Sequence, residues 1–201
     1  VIYNFFSKDI KNKILNNKNS IKLNENSELH VIEYTINQSS FKFINNVYEQ
    51  IILENLAVAE ELAQNPDLEP MTVFQIDDGW QRTWGDWQAN EHFPNGMDQL
   101  ATDIQNAGFT PGLWMAPFYV STTAPIFSEH DDWWVLDEQG EPITYSNLGT
   151  GDYAIIDVTH PDAGPWMRDQ VARHKDAGWT YLKLDFLYAG AQRGQRYQDV
   201  T

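Results

Sequence analysis

The sequence predicts an α/β fold with a parallel sheet, and three observations carry that expectation. Short apolar runs alternate with stretches of helical periodicity from Val47 onward. The helical stretches close at glycine or at Asn65-Pro66, and several apolar runs end in aspartate. Regular alternation of strand and helix gives βα units, whose crossovers make the strands of one sheet parallel.

The elements can be justified in order. Val47, Ile51, Ile52, Leu56, Ala59 and Leu62 recur at the spacing of one helix face with acidic residues between them, and Asn65-Pro66 ends the run. Met71 to Ile76 is a compact apolar strand that closes on Asp77-Asp78-Gly79. A second helical pattern runs from Met97 to Ala107 and stops at Gly108. Pro111 to Phe118 reads as the next strand and Ala154 to Val158 as a short one. Asp162 to Asp176 is a helix closed by Gly178, and Tyr181 to Tyr188 is the last strand. In such sheets the polar residues at the carboxyl ends of strands line the site. Those ends carry Asp77, Asp78, Trp114, Asp157 and Asp185.

Composition separates the first fifty residues from the rest. They hold six Lys/Arg against five Asp/Glu, ten asparagines and no alanine, whereas the remainder holds seven Lys/Arg against twenty-four Asp/Glu and all eight tryptophans. Residues 1–45 are therefore read as an Asn/Lys-rich leader of weak strands and turns, a foreign segment or the remnant of an N-terminal β domain. It is expected to pack poorly against residues 46–201 and to supply no site residue. A surface as acidic as the latter part repels phosphate backbones and anionic lipid, which argues against nucleic-acid and membrane partners, while a neutral sugar meets no such barrier. No window approaches the roughly 18 apolar residues of a membrane span. With no cysteine, thiolate metal sites and cysteine nucleophiles are excluded. The chain starts at Val1 rather than Met, which reads as a cut. No secretory signal pattern is visible near it, so the cytoplasm is the expected compartment.

Three constellations could carry chemistry. In Tyr181-Leu182-Lys183-Leu184-Asp185-Phe186, strand alternation puts Lys183 and Asp185 on one face and Leu182, Leu184 and Phe186 on the other. An ammonium that close would favour the ionised carboxylate, as suits a nucleophile; the alternative is a structural ion pair in the core. Asp77 and Asp78, adjacent at a strand end and followed by Gly79, could accept several hydrogen bonds from sugar hydroxyls. A helix cap, an Asx turn or a metal pair would use the same residues. Trp80, Trp84, Trp87, Trp114, Trp133 and Trp134 cluster near predicted strand ends and offer faces on which a pyranose stacks, though most of the six are assigned to packing. His130-Asp131-Asp132 and Asp157 to Asp162 match no metal-ligand spacing, and no metal is expected. No phosphate-binding glycine loop or Gly-x-Ser-x-Gly elbow is present.

Several ordered motifs then become specific. Phe74-Gln75-Ile76-Asp77-Asp78-Gly79-Trp80-Gln81, Gly85-Asp86-Trp87, Phe93-Pro94, the run Gly108 to Phe118 and Tyr181 to Gly190 resemble, in order and spacing, glycoside hydrolase family 36. This family contains microbial α-galactosidases and raffinose-synthase-like enzymes. The resemblance covers about Ile51 to Thr201 and fails upstream of about Tyr48, where Ser40 to Asn46 lacks the usual aromatic residues of a first barrel strand. His130-Asp131-Asp132-Trp133 also departs from the His-Pro-Asp-Trp frequent among relatives.

The resemblance implies a partial (β/α)8 barrel, about its first four βα units, at residues 46–201. It implies a retaining α-galactosidase that hydrolyses terminal α-D-galactosyl residues of melibiose- and raffinose-type oligosaccharides without metal or cofactor. By resemblance Asp185 is the nucleophile, Lys183 contacts the sugar beside it, Asp77 and Asp78 hold the galactose O4 and O6 hydroxyls, and Trp114 lines the pocket. The family's acid/base aspartate lies dozens of residues beyond Thr201, so this polypeptide alone is expected to be inactive. A raffinose-synthase-like galactosyl transferase and a non-catalytic carbohydrate-binding protein remain the competing functions.

Overall fold

A computed structural model describes residues 2–6, 30–35, 40–44, 49–68, 71–146 and 151–198, with side chains from Glu49 onward. Three strands come first, β1 (Ile2–Phe6), β2 (His30–Thr35) and β3 (Ser40–Ile44), followed by helix α1 (Glu49–Ala63) and strand β4 (Val73–Ile76). A hairpin, β5 (Gln81–Thr83) and β6 (Asp86–Ala89), leads to α2 (Met97–Asn106), β7 (Thr110–Met115) and β8 (Tyr119–Ser121). The short helix α3 (Pro125–Glu129), β9 (Thr144–Tyr145), β10 (Tyr153–Ile155), α4 (Ala163–Asp176), β11 (Tyr181–Leu184) and a 3-10 helix (Leu187–Ala191) complete the chain.

The chain divides into two compact units, and each holds one half of the candidate chemistry. The first comprises Val1–Trp80, Asn90–Trp114 and Gly178–Lys183; the second Gln81–Ala89, Met115–Ala177 and Leu184–Thr201. The main sheet, ordered β1-β2-β3-β4-β7-β11, belongs chiefly to the first. β1, β2 and β3 pair antiparallel, whereas β3 runs parallel to β4 and β4 parallel to β7, with Phe74 opposite Pro111 and Ile76 opposite Leu113. Residues read as a leader thus hydrogen-bond into the same sheet as β4. How the side chains of residues 1–48 pack, and Val47 with them, lies outside the described residues.

Helix and strand form where the periodicities predict. α1 buries Ile52, Asn55, Leu56 and Ala59, one face at intervals of three and four, and α2 buries Met97, Leu100, Ala101 and Ile104 in the same way. Gly108 and Gly178 end α2 and α4 with φ of 88° and 101°, left-handed values that a glycine adopts without a Cβ clash. Gly112 lets three strands approach: a Cβ there would meet Gln75 Cβ and Tyr181 Cδ1 at 3.0 Å.

Two expectations are corrected. The short strand at Ala154 is not part of the parallel sheet. β10 pairs antiparallel with β8 and β9 in a separate three-stranded sheet, because Pro111 to Phe118 breaks after Met115 and its continuation, β8, folds back to pair with it. The second unit's core lies against this small sheet and gathers Val120, Ile126, Trp133, Trp134, Ile156 and Met167. The last strand stops at Leu184, four residues short of Tyr188, so the alternation drawn through Asp185 and Phe186 does not hold. Tyr181 and Leu184 are both exposed, with Leu182 and Lys183 half-buried between them.

Candidate active site

In the first unit the site residues sit at the end of β4. The strand runs out at Ile76, and Gly79, with φ of 111°, turns the chain. The turn is fastened by Asn90, whose Nδ2 donates to the Gly79 carbonyl at 2.8 Å and whose N–H donates to the Trp80 carbonyl. Trp80, fully buried, donates its Nε1–H to the Trp114 carbonyl at 2.9 Å and so ties the turn to the end of β7.

Asp77 is buried yet well supplied with donors. Lys183 Nζ lies 2.9 Å from its Oδ2 and 3.3 Å from its Oδ1, Gln75 Nε2 donates to Oδ2 at 3.3 Å, and the Asp78 N–H donates to Oδ1 at 2.9 Å. Burying a carboxylate is tolerable only with such partners. Lys183 makes an ion pair with Asp77, 106 residues away in sequence, a contact that strand alternation alone does not announce. β11 ends at Leu184, between Lys183 and Asp185. Gln75 was missed in the sequence, although its spacing of two from Asp77 in a strand was a usable signal. Asp78 is half-buried.

In the second unit Asp185 is half-buried and directly follows β11. Its N–H donates to the Met115 carbonyl at 2.8 Å, and its Oδ1 accepts the Phe186 N–H at 2.9 Å. Phe186 has φ 53° and ψ 33°, a left-handed conformation rarely taken by so bulky a residue. Its ring packs against Trp84 at 5.3 Å and Tyr119 at 5.9 Å between centroids. Tyr119 is buried, and its hydroxyl is pushed up to about 12, first by that burial and then by hydrogen bonding to Tyr188, so it stays protonated at any working pH. Tyr188 and Leu187 on the following 3-10 helix are exposed.

The other sequence candidates are engaged in packing or in contacts within the protein. All six tryptophans considered for stacking are buried, Trp114 to 1% exposure, so a role for Trp114 in lining a pocket would use an edge rather than an open face. His130 stacks flat on Trp133 at 3.6 Å, and His160 Nε2 lies 3.3 Å from Asp132. Asp157, buried, accepts Thr159 N–H and Oγ1–H and Arg196 on Oδ1, and the Tyr197 N–H on Oδ2 at 2.6 Å. Arg196 continues to the carbonyls of Gly190 and Gln192. Among the described residues no cluster of His, Cys, Asp and Glu is arranged to hold a metal ion.

A model of the Melibiase family matches residues 13–195, and the chain belongs to that family. The match begins well upstream of Tyr48, inside the segment that composition set apart. Alpha-galactosidase AgaA of Geobacillus stearothermophilus is 38% identical over 119 residues, 55% of this chain and 16% of the relative. The A type blood alpha-D-galactosamine galactosaminidase of Flavonifractor plautii is 34% identical over 80 residues, 38% of this chain and 7% of the relative. Among solved structures, the alpha-galactosidase of Thermus thermophilus in complex with p-nitrophenyl alpha-D-galactopyranoside aligns with a TM-score of 0.67 at 37% identity, covering 74% of this chain and 30% of that one. The same enzyme has also been solved with stachyose. The chain thus spans 30% or less of the length of each of these relatives.

Proposed function

We propose that this chain is the N-terminal half of the (β/α)8 catalytic barrel of a retaining α-galactosidase acting on terminal α-D-galactosyl residues of oligosaccharides. The observation that carries the proposal is the family match over residues 13–195, taken with Asp77 held between Lys183 and Gln75. The galactoside complexes of the Thermus relative support the substrate class.

In this mechanism Asp185 attacks the anomeric carbon, the C1–O bond breaks, and a galactosyl ester forms that water later hydrolyses. Asp77 and Asp78 accept hydrogen bonds from the galactose O4 and O6 hydroxyls, and Lys183 steadies Asp77 while facing the sugar. Trp114 flanks the ring. A second carboxyl group about 5–5.5 Å from the nucleophile must protonate the leaving oxygen, and we assign it to a later part of the polypeptide.

The test uses the complete enzyme. Asp185→Ala should abolish hydrolysis of p-nitrophenyl α-galactoside, and azide should restore nitrophenolate release by attacking C1 from the vacated side to give β-galactosyl azide. Azide rescue of an Asp77 variant, with Asp185→Ala left dead, would reverse the two roles.

A further inference from the structure

We infer that the loop following Asp185 holds the leaving part of the substrate, a neutral sugar, and that Arg193 is the residue that grips its hydroxyls. The inference rests on the proposal that the chain is part of a galactosidase, and it names where the released group is held.

The loop leaves the carboxyl end of β11, the end at which barrel enzymes carry their substrate contacts. Residues 190–198 line a cavity of about 640 Å³, within the range of about 300–1,000 Å³ usual for small-molecule sites. Two contacts tie it to Asp185. The Asp185 N–H donates to the Met115 carbonyl, and Phe118, three residues beyond Met115, packs tightly on the start of the cavity, where a Cβ at Gly190 would meet its ring at 2.9 Å.

The lining suits hydroxyls. Gln192, Arg193, Gln195, Arg196 and Gln198 contribute to it, and no acidic side chain does among the described residues. Carboxamides both donate and accept, as sugar hydroxyls do, and a guanidinium donates through a planar fork. The two arginines differ in what they touch. Arg196 reaches Asp157 and the carbonyls of Gly190 and Gln192, so its charge is matched and its donors hold the loop in shape. Arg193 is exposed, and among the described residues it makes no ion pair. An exposed arginine on a plain surface would be an ordinary solvated side chain; this one lies on a cavity built by its neighbours. One unmatched cation beside three carboxamides fits a polyol better than a phosphate or carboxylate, which the net charge of -16 also repels.

The experiment compares Arg193→Ala and Arg193→Lys with the parent, each as the complete enzyme, by kcat/KM on raffinose and on p-nitrophenyl α-galactoside. These substrates share the galactosyl group and differ in what leaves, and kcat/KM includes the step in which that part is still attached. Arg193→Ala should lower the ratio of raffinose to aryl galactoside kcat/KM about ten- to hundredfold, and Arg193→Lys should lower it less. A ratio unchanged in Arg193→Ala, whether both values hold or fall together, overturns the role of Arg193. Inhibition of raffinose cleavage by inorganic phosphate that disappears in Arg193→Ala would assign the guanidinium to an anion and overturn the neutral sugar. A parent enzyme active on the aryl galactoside but not on raffinose overturns the leaving-group site alone. A parent that cleaves neither overturns the galactosidase reading, and this inference falls with it.

Discussion

The two candidate carboxylates, Asp77 at the end of β4 and Asp185 after β11, are held in opposite ways. Both accept on Oδ1 the N–H of the next residue at 2.9 Å. Asp77 is buried, with an ammonium and a carboxamide on its oxygens, and the chain turns away at Gly79, where positive φ is free of strain. Asp185 is half-buried, and the chain turns at Phe186, where positive φ is strained. A buried carboxylate is tolerable only where donors satisfy its oxygens, as they do at Asp77. The difference teaches that two carboxylates at strand ends, with the same backbone contact on Oδ1, can sit beside turns of opposite strain.

Mutations can break or sharpen this contrast. The largest effect should be Asp185→Ala in the complete enzyme, a loss of activity of several orders of magnitude with the melting temperature nearly unchanged. A large fall in stability instead would put Asp185 with Asp77 among the structural carboxylates. Asp77→Asn keeps the shape but weakens charge-assisted hydrogen bonds to the sugar, worth about 1.5–3 kcal/mol each, so kcat/KM should fall roughly ten- to hundredfold.

Lys183→Met leaves the Asp77 charge buried without its ammonium. Breaking a buried pair costs about 3–5 kcal/mol, and the partial exposure of Lys183 reduces that to about 1–3 kcal/mol, read in denaturant unfolding. Adding Asp77→Asn to Lys183→Met should recover part of the loss, since the orphaned charge is then gone. Additivity in this double-mutant cycle would sink the ion pair.

The smallest effect separates the units by pH. His174, buried in α4 of the second unit, is lowered to about 4 by burial first and then by Arg173. Its folded pKa lies below the unfolded 6.5, so the unfolded chain binds the proton more readily. The stability of its neutral form is complete above about pH 6.5 and is lost as pH falls toward 4, on the order of 2 kcal/mol. Hydrogen exchange in α4 should accelerate on acidification in the parent protein and less so in His174→Leu; equal acceleration in both would remove His174 as the cause.

Much of the first unit was legible because its signals are local. The face of α1, the glycine stops of α2 and α4, and the apolar cores of β4 and β7 repeat within a few residues of themselves. The pairing of Lys183 with Asp77 was not legible, since it depends on a contact across 106 residues. The second unit was read least well. Its strands β5, β6, β8 and β9 have two to four residues each, too short for a period to register, and β10 took its place from pairing with β8 and not from its own sequence. Asp77, Asp78 and Asp185 were singled out from strand-end position and motif; the left-handed backbone of Phe186 was not foreseen, because such turns are normally announced by glycine or asparagine.

Asp157 gives the second unit a further property. Its two oxygens hold Thr159, Arg196 and the backbone of Tyr197, and Arg196 reaches on to the carbonyls at 190 and 192, while Leu136 and Gln195 exchange N–H···O bonds of 2.8 and 3.0 Å. The stretch that follows Asp185 is thereby a closed loop and not a free strand. Its conformational entropy is surrendered when the chain folds, and a ligand arriving beside it finds nothing left to order.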